Sequence, residues 1–548
     1  MYDTGCVVSL KCADLEGTGS GCLVDTANGI VITHGTVVSS LLTTKQIHLL
    51  STNGILQNCF DSWNVEILLQ DCEKQERPRK TSRYQTSALS SSEISLSNES
   101  KSIKEKSFVR QHASVISIFR LKKLEKVISF LLPPGQWEYV EDFSKQKDLN
   151  SDEQSRFSTL TSSFIVLKIN SWKNYHSDFH VLKYGDLRKG DNLEVEATPF
   201  GALKPEIFFN SISRGIVSNK AGGVLLMTDA RCIPGAEGGP VFCWRENQRY
   251  LIGIVIATLC WRSNEWVGLS MVCTLTDVIN SVKHVIRYDH CNRHVNKVLR
   301  NGISSLTDSV SMIIVGSKWG SGVLVGQLDD SRSLLLTCSH VVRESGYNTV
   351  KVKFTDRPDT EKATVIYRTP TDRPDTEKAT VIYRTPIDKQ FDIALLSIPF
   401  TTVRPIPMSS SLLSEGDQVY VIGHAIFGAE MNLQPTVTSG VVSKIISVNG
   451  SPVMIQTSCA VHAGASGGAV VDKYGYLVGI PTNNARDVES KASYPHVNMC
   501  VPIETVAPVI KKFVLTKDIS ILDNLYIQNE AIQRLWTLGD NIITASKL

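Results

Sequence analysis

The feature that most constrains the fold is an internal repeat that runs through most of the chain. GSGCLV at 19–24 matches GSGVLV at 320–325, and SRGIVS at 213–218 matches TSGVVS at 438–443. MTDARCIPGAEGGPVF at 227–242 likewise parallels IQTSCAVHAGASGGAV at 455–470. Segments that recur in one order indicate copies of a structural unit. The sequence therefore predicts two homologous modules, residues 1–285 and 305–515, with a linker over 286–304 and a C-terminal tail over 516–548.

Within both modules, short apolar runs alternate with turn residues. SLLLT, DIALLSI, QVYVIG and YLVGI are rich in β-branched and aliphatic residues and are separated by Gly, Asn, Asp and Pro. Many short strands with turn signals indicate an all-β fold of sandwiches or barrels. Helices are predicted only near 277–300, 504–513 and 523–536.

Two segments interrupt this pattern. Residues 73–107 are Ser-rich, charged and poor in apolar groups, so they are predicted to be a disordered insertion. TDRPDTEKATVIYRTP occupies Thr355–Pro370 and again Thr371–Pro386. Such identity indicates a recent duplication or a gene-assembly error, and a surface loop or an extra hairpin could absorb the duplicated segment.

Charge and cysteine content exclude several classes of function. A net charge of +3 over 548 residues, without a basic stripe and interleaved aromatic residues, predicts no binding to nucleic acid. No run reaches the roughly 18 apolar residues of a membrane span, and MYDTGCVVSL does not resemble a secretory signal. The 13 cysteines show no zinc-ligand spacing and are predicted to be free thiols. The sequence thus implies no metal and no organic cofactor.

The second module contains the parts that acyl transfer by serine requires. Ser466 lies in GASGG, where glycines allow the amides of Gly464 and Ser466 to converge as an oxyanion hole. His340 ends TCSH after an apolar run, and Asp392 opens DIALLSI. Taken singly, these residues also fit a turn, a core histidine and a strand cap. Together they supply a nucleophile, a base and a carboxylate that orients the base.

GSGVLV, LLLTCSHVV, FDIALLSI, VTSGVVS and GASGG resemble, in that order, the Deg/HtrA branch of trypsin-like serine proteases over most of 311–485. The resemblance implies a double β-barrel in which His340 is the general base, Asp392 its orienting partner and Ser466 the nucleophile. The residue directly before Ser466 is Ala465, whereas digestive trypsin-like enzymes carry Asp at this position. The tail is too short for the PDZ domain common in Deg enzymes, which favours limited processing over processive degradation.

Substrate preference is indicated only weakly. Ala460 lies six residues before Ser466, where trypsin-type enzymes place an acid that binds basic side chains. Without that acid, we expect little preference for Lys or Arg before the scissile bond. His462 either reaches the specificity pocket or is structural.

The first module lacks the same chemistry. When the two modules are aligned, Ser163 lies opposite Asp392 and Glu237 lies opposite Ser466. Each pair is separated by 74 residues (237 − 163 and 466 − 392), which supports the alignment. A carboxylate has no hydroxyl to deprotonate, and a threonine is not a base near neutral pH. The sequence predicts a pseudoprotease, either a structural half or a substrate-docking or regulatory one. Its degenerate triad positions are Thr36, Ser163 and Glu237, opposite His340, Asp392 and Ser466.

Ser546, Lys547 and Leu548 form the SKL tripeptide that the peroxisomal import receptor reads. With two Deg-like modules, the first inactivated, the chain resembles the peroxisomal leader peptide-processing protease family. That resemblance implies a matrix enzyme that removes N-terminal targeting leaders from imported enzymes and clips some C-terminally targeted ones, including enzymes of β-oxidation. It also implies self-cleavage, for which Cys72, beside the 73–107 insertion, is a candidate site.

Two other functions stay open. The chain could be a catalytically idle peroxisomal binding or chaperone protein, or a Deg-type quality-control protease. The expected partners are protein substrates and the import receptor, and the sequence leaves a homo-oligomer open.

Overall fold

A computed structural model gives the architecture of most of the chain. Cys72, the 73–107 insertion and the first copy of the tandem 16-residue segment lie outside the residues it describes. The described residues are 4–70, 108–133, 151–173, 180–200, 203–246, 248–262, 265–283, 302–343, 349–354, 377–386, 391–399, 401–409, 413–487, 493–525, 529–536 and 542–546.

The first module begins with a closed antiparallel barrel. Val8, Val31 and Ile67 are fully buried inside it. Its strands are β1 (Gly5–Cys12), β2 (Leu15–Asp25), β3 (Ile30–His34), β4 (Ile55–Leu56), β5 (Asn64–Gln70), β6 (Phe108–Arg120) and β7 (Ser163–Ile169). The order β6-β5-β1-β2-β3-β7 closes through pairing of β6 with β7, and β4 extends the sheet beside β6.

A second barrel completes the first module. Val217, Leu226 and Val255 lie in its core. Its strands are β8 (His180–Val181), β9 (Asn192–Ala197), β10 (Ser211–Ala221), β11 (Leu225–Thr228), β12 (Pro240–Arg245), β13 (Gln248–Arg262) and β14 (Glu265–Thr274). The order β14-β11-β10-β9-β12-β13 closes through β13 and β14, and β8 adds a parallel strand to β13.

The second module repeats this plan with a third barrel. Its strands are β15 (Val310–Val315), β16 (Lys318–Asp329), β17 (Arg332–Thr337), β18 (Thr349–Lys353), β19 (Glu377–Arg384) and β20 (Ala394–Pro399). They form a closed barrel in the order β15-β16-β17-β20-β19-β18. β19 comes from the second copy of the tandem 16-residue segment, so that copy supplies a barrel strand.

The fourth barrel carries GASGG at 464–468, the predicted nucleophile loop. Its strands are β21 (Gln418–Gly423), β22 (Thr436–Val448), β23 (Ser451–Thr457), β24 (Ala469–Asp472), β25 (Leu477–Asp487) and β26 (Ser493–Pro502). The order β25-β24-β21-β22-β23-β26 closes through β25 and β26. A last strand, β27 (Ile542–Ser546), pairs with the outer edge of β25. The all-β fold of two double-barrel modules is thus confirmed.

Helices connect and cover the barrels. They are α1 (Thr44–Asn53), α2 (Lys122–Leu131), α3 (Ser151–Thr161), α4 (Pro205–Phe208), α5 (Leu275–Ser281), α6 (Gly302–Leu306), α7 (Ser339–Val342), α8 (Ile503–Thr516) and α9 (Glu530–Leu535). The helices predicted near 504–513 and 523–536 correspond to α8 and α9. α5 covers only the start of the helix predicted near 277–300, of which residues 284–300 lie outside the described residues. The sequence patterns did not predict α1, α2, α3, α4, α6 or α7. No helix of the described ranges has the length and apolar character needed to cross a membrane.

Buried polar contacts join the two modules. The carboxylate of Asp229 accepts hydrogen bonds from the backbone amide of Ile216 (2.7 Å) and, across the interface, from the amide (2.7 Å) and hydroxyl (3.0 Å) of Ser439. Lys189 donates to the carbonyl of Pro435 (2.5 Å). One apolar core cluster contains residues of both modules, so each module buries part of the other's surface.

Candidate active site

Strand pairing brings His340 and Asp392 together. β17 ends at Thr337, opposite Ala394 at the start of β20, so the residues just beyond these two strand ends meet. The backbone amide of His340 donates to Oδ1 of Asp392 (2.9 Å), and Nδ1 of the ring bonds to Oδ2. Nε2 of His340 is buried without a hydrogen-bond partner in the described part of the chain. The imidazole is therefore oriented by the carboxylate, and its other nitrogen is available to accept a proton.

Ser466 lies in a tight loop between two left-handed glycines. Gly464 has φ +88° and Gly467 has φ +82°, values that favour glycine. The hydroxyl of Ser466 is buried and donates to the carbonyl of Thr482 (3.0 Å). A Cβ at position 467 would meet Thr337, so the nucleophile loop packs against the end of β17, three residues before His340.

Ser321 on β16 holds this loop in place. Its backbone amide donates to the carbonyl of Ser466 (2.9 Å), and its hydroxyl donates to the carbonyl of Gly464 (2.7 Å). The same hydroxyl accepts the amide hydrogen of His424 (2.8 Å). The sequence reading placed Ser321 in the repeated GSG string but did not give it this task.

The first module repeats these contacts with different residues. The amide of Ser20 donates to the carbonyl of Glu237 (3.1 Å), and its hydroxyl donates to the carbonyl of Gly235 (2.7 Å). The hydroxyl of Ser20 also accepts the amide hydrogen of Thr198 (2.8 Å). Gly235 has φ +93°, close to the value at Gly464. Glu237 therefore occupies the place of Ser466.

The first module differs from the second in the contacts of two side chains, Glu237 and His34. The Glu237 carboxylate accepts the amide hydrogen of Gly235 (2.9 Å), the counterpart of the amide of Gly464. His34 is fully buried, with Nε2 bonded to the carbonyl of Thr161 (2.9 Å) and Nδ1 to Thr36 (2.9 Å). Burial lowers the pKa of His34 to about 4, against a smaller opposing effect of the hydrogen bond to Thr161. The hydroxyl of Ser163 donates to the carbonyl of Thr159 (2.6 Å), so this side chain too is held by a contact within its own module.

The predicted specificity residues are buried near the nucleophile loop. The carbonyl of Ala460 accepts the hydroxyl of Thr438 (2.8 Å), and the carbonyl of His462 accepts the amide of Ala465 (3.0 Å). Of the predicted targeting residues, Ser546 ends β27, whereas Lys547 and Leu548 lie outside the described residues.

Cys338 adds a thiol that the sequence reading did not assign. Ligand atoms of Cys338, His340 and Asp392 all lie within 4.8 Å of one another. Burial, with the charge of Asp392, raises the pKa of the Cys338 thiol, which donates to the carbonyl of Pro481 (3.4 Å). Because metals bind the thiolate, this protonated thiol is a poor ligand. The cluster is therefore a poor candidate for a metal site.

Comparison with known proteins agrees with this geometry. The family described as "Trypsin-like peptidase domain" matches residues 320–480. The Homo sapiens protein named "Peroxisomal leader peptide-processing protease" is 35% identical over 369 residues, which are 65% of this chain and 61% of that protein. The Mus musculus protein of the same name is 33% identical over 374 residues, with the same two coverages of 65% and 61%.

A chloroplast protein shows a similarity confined to a shorter region. "Protease Do-like 1, chloroplastic" of Arabidopsis thaliana is 33% identical over 162 residues, which are 28% of this chain and 36% of that protein.

The chain spans 61% of the length of each of the two mammalian relatives.

Proposed function

Because residues 320–480 match the family of trypsin-like peptidase domains, we propose that the chain is a serine endopeptidase that processes enzymes imported into peroxisomes. In this proposal it removes N-terminal targeting leaders by limited proteolysis and clips some C-terminally targeted enzymes, including enzymes of β-oxidation. The observation that carries the proposal is the bond between the imidazole of His340 and Asp392, with Nε2 left unbonded in the described structure and Ser466 in the loop packed beside it.

The reaction begins when the Ser466 hydroxyl leaves the carbonyl of Thr482 and turns toward His340. Nε2 takes the hydroxyl proton while Oγ attacks the scissile carbonyl carbon. The amides of Gly464 and Ser466 stabilise the oxyanion that forms. His340 then passes its proton to the leaving amine, which breaks the peptide bond, and water releases the acyl group by the same steps. Asp392 holds the ring and stabilises its cationic form throughout.

The relatives and the SKL tripeptide support the peroxisomal part of the proposal. The human and mouse relatives are named as peroxisomal proteases, and Ser546, Lys547 and Leu548 match the address that the import receptor reads. We place the protein in the peroxisome matrix. Fusing residues 537–548 to a fluorescent reporter tests this, since loss of Leu548 is expected to leave the reporter in the cytosol.

The first module acts as a pseudoprotease in this proposal. The network around Ser20 preserves the loop geometry, while Glu237 replaces the nucleophile. The contacts of Asp229 and Lys189 with the second module support a role in holding the active module in shape.

Substrate preference is proposed to follow from Ala460. With Ala460 in place of an acid, the specificity pocket has no carboxylate at this position to bind Lys or Arg, so cleavage is expected to show little preference for basic residues. His462 is proposed as a structural neighbour of that pocket.

Incubation of a purified leader-bearing peroxisomal enzyme with the wild type and with Ser466→Ala tests the function. One defined N-terminal cut, read by mass spectrometry and abolished by the substitution, is expected. Degradation of unfolded casein to small peptides would instead indicate a quality-control protease. If neither the wild type nor Ser466→Ala cleaves the substrate, the chain is an idle binding protein. The same incubations also test self-cleavage. In the wild type we expect fragments of the protease itself with an end near Cys72, and we expect none in Ser466→Ala.

A further inference from the structure

A strand from the chain's own tail covers the edge of β25. Within the described residues, β24 pairs with β25 only as far as Gly479, whereas β26 continues along the opposite side of β25. Beyond Gly479, the side of β25 that had paired with β24 is a sheet edge, because the backbone groups of β25 on that side have no partner from within the barrel. β27 pairs with this edge from Asp487 to Asn483.

The direction of β27 leads toward the nucleophile. The pairing is antiparallel, with Ile542 opposite Asp487 and Ser546 opposite Asn483. Asn483 follows Thr482, whose carbonyl accepts the hydroxyl of Ser466 (3.0 Å). A polypeptide in this position therefore runs toward Ser466 as its residue numbers rise.

The segment before β27 is fastened close to the same site. Ile532 lies in α9 and Trp536 directly follows it. Both side chains are buried in the core of the second module. The ring of Trp536 meets that of Phe391 edge to face, with centroids 6.5 Å apart. Phe391 directly precedes Asp392, so the tail is anchored beside the carboxylate of the catalytic pair.

We propose that residues 542–546 occupy the edge on which an extended polypeptide substrate docks, and so restrain the enzyme as an internal competitor. This inference rests on the proposed function, because the edge serves a substrate only if Ser466 cuts polypeptides. Backbone hydrogen bonds to an exposed edge bind any extended chain, whichever side chains it carries. A substrate and β27 therefore need the same backbone groups of Asn483–Asp487.

The tether makes this competition effective. A segment joined by a short linker meets its site at an effective concentration on the order of millimolar. A tail that is docked about nine-tenths of the time lowers the apparent affinity for substrate about tenfold, because only the undocked fraction binds. Bond cleavage itself is unchanged once substrate is bound, so the effect appears in KM and not in kcat.

Thr544→Pro in the full-length chain removes a backbone N–H from the middle of β27 and fixes φ at that residue. Thr544→Val is the matched control, since valine keeps the N–H and favours strands. Hydrogen–deuterium exchange then reports docking without any need for activity. Faster exchange over 483–487 in Thr544→Pro, with Thr544→Val like the wild type, is expected. Equal exchange in all three proteins would overturn the docking.

Two covalent probes separate competition from catalysis. A tripeptidyl diphenyl phosphonate needs the β25 edge for its peptide part, whereas a small alkyl fluorophosphonate does not. In Thr544→Pro we expect the peptidyl probe to label Ser466 about tenfold faster and the alkyl probe to label it at the wild-type rate. Unchanged labelling by the peptidyl probe would overturn the inhibitory role. If neither probe labels any variant, the proposed function fails and the inhibitory role with it, while exchange still reports the docking.

Discussion

Asp392 accepts two hydrogen bonds from a single residue, one from the backbone amide of His340 (2.9 Å) and one from its Nδ1. The carboxylate can accept both because each oxygen takes one. It therefore fixes the position of the backbone and the tautomer of the ring at the same time. This relationship gives the first prediction.

Asp392→Asn is expected to lower kcat by about 10³–10⁴-fold with little change in KM. The amide oxygen can still accept the backbone N–H of His340, which leaves the amide NH₂ facing Nδ1. That contact favours the tautomer with the proton on Nε2, so Nε2 can no longer accept the proton of Ser466. Steady-state kinetics on the processed substrate measure the loss. A variant with near-wild-type kcat and an intact fold would contradict this role.

Ser321→Ala is expected to lower kcat about 10–100-fold, because the loop that carries Ser466 loses the hydroxyl that joins Gly464 to His424. The unfolding free energy should fall by about 1–2 kcal/mol. Kinetics together with urea denaturation measure both effects.

The repeat supplies the control for this substitution. Ser20→Ala removes the same contacts in the first module and is expected to cost similar stability without changing kcat. If both variants lose kcat to the same extent, the effect is one of folding, and Ser321 does not position the nucleophile.

Gly464→Ala is expected to reduce kcat more than a hundredfold, since a displaced amide is lost from the oxyanion hole. A Cβ there would lie 2.3 Å from Nε1 of Trp319 and 2.4 Å from the carbonyl of His424. Gly416→Ala is the control, because Gly416 has φ +90° and open space around its Cβ position. It carries the backbone strain without the clash. Equal loss of kcat in the two variants would rule out the oxyanion role.

His34 is expected to make stability depend on pH. Its pKa is lowered by burial from an ordinary value of 6.5 to about 4, so the unfolded state binds more protons between these two values. Stability from this group is therefore complete above pH 6.5 and is lost as the pH falls toward 4, by about 3 kcal/mol in total. Urea denaturation from pH 4.5 to 7.5 should show a slope that His34→Gln reduces without abolishing, because burial also lowers the pKa of His424, to about 3. A slope that is as steep in His34→Gln as in the wild type would contradict this role of His34.

The sequence predicted the fold because its repeat and its strand patterns agree. Apolar runs such as SLLLT and QVYVIG became β17 and β21. The two GSG strings fell at equivalent places in the two modules, and so did GAEGG of the first module and GASGG of the second. The contact between His340 and Asp392 was also foreseen. The order and spacing of these strings carry that information, because residues at the ends of paired strands must meet.

Other features depend on partners distant in sequence. β27 is a strand because the edge of β25 lies open to it, and nothing within IITAS indicates that partner. The task of Ser321 likewise depends on Ser466 and His424, which lie over a hundred residues away. α2 is a different case: Leu124, Val127, Ile128 and Leu131 follow helical spacing, and this signal was overlooked.

Labelling with a fluorophosphonate, followed by peptide mapping, tests the central claim most directly. The reagent bonds to a serine oxygen only when a base removes the proton, so it reports the whole catalytic arrangement. We predict a single adduct on Ser466 in the wild type, and none in Ser466→Ala or, on the same time scale, in Asp392→Asn. An unlabelled wild type, or cleavage of the leader-bearing enzyme that persists in Ser466→Ala, would contradict the account.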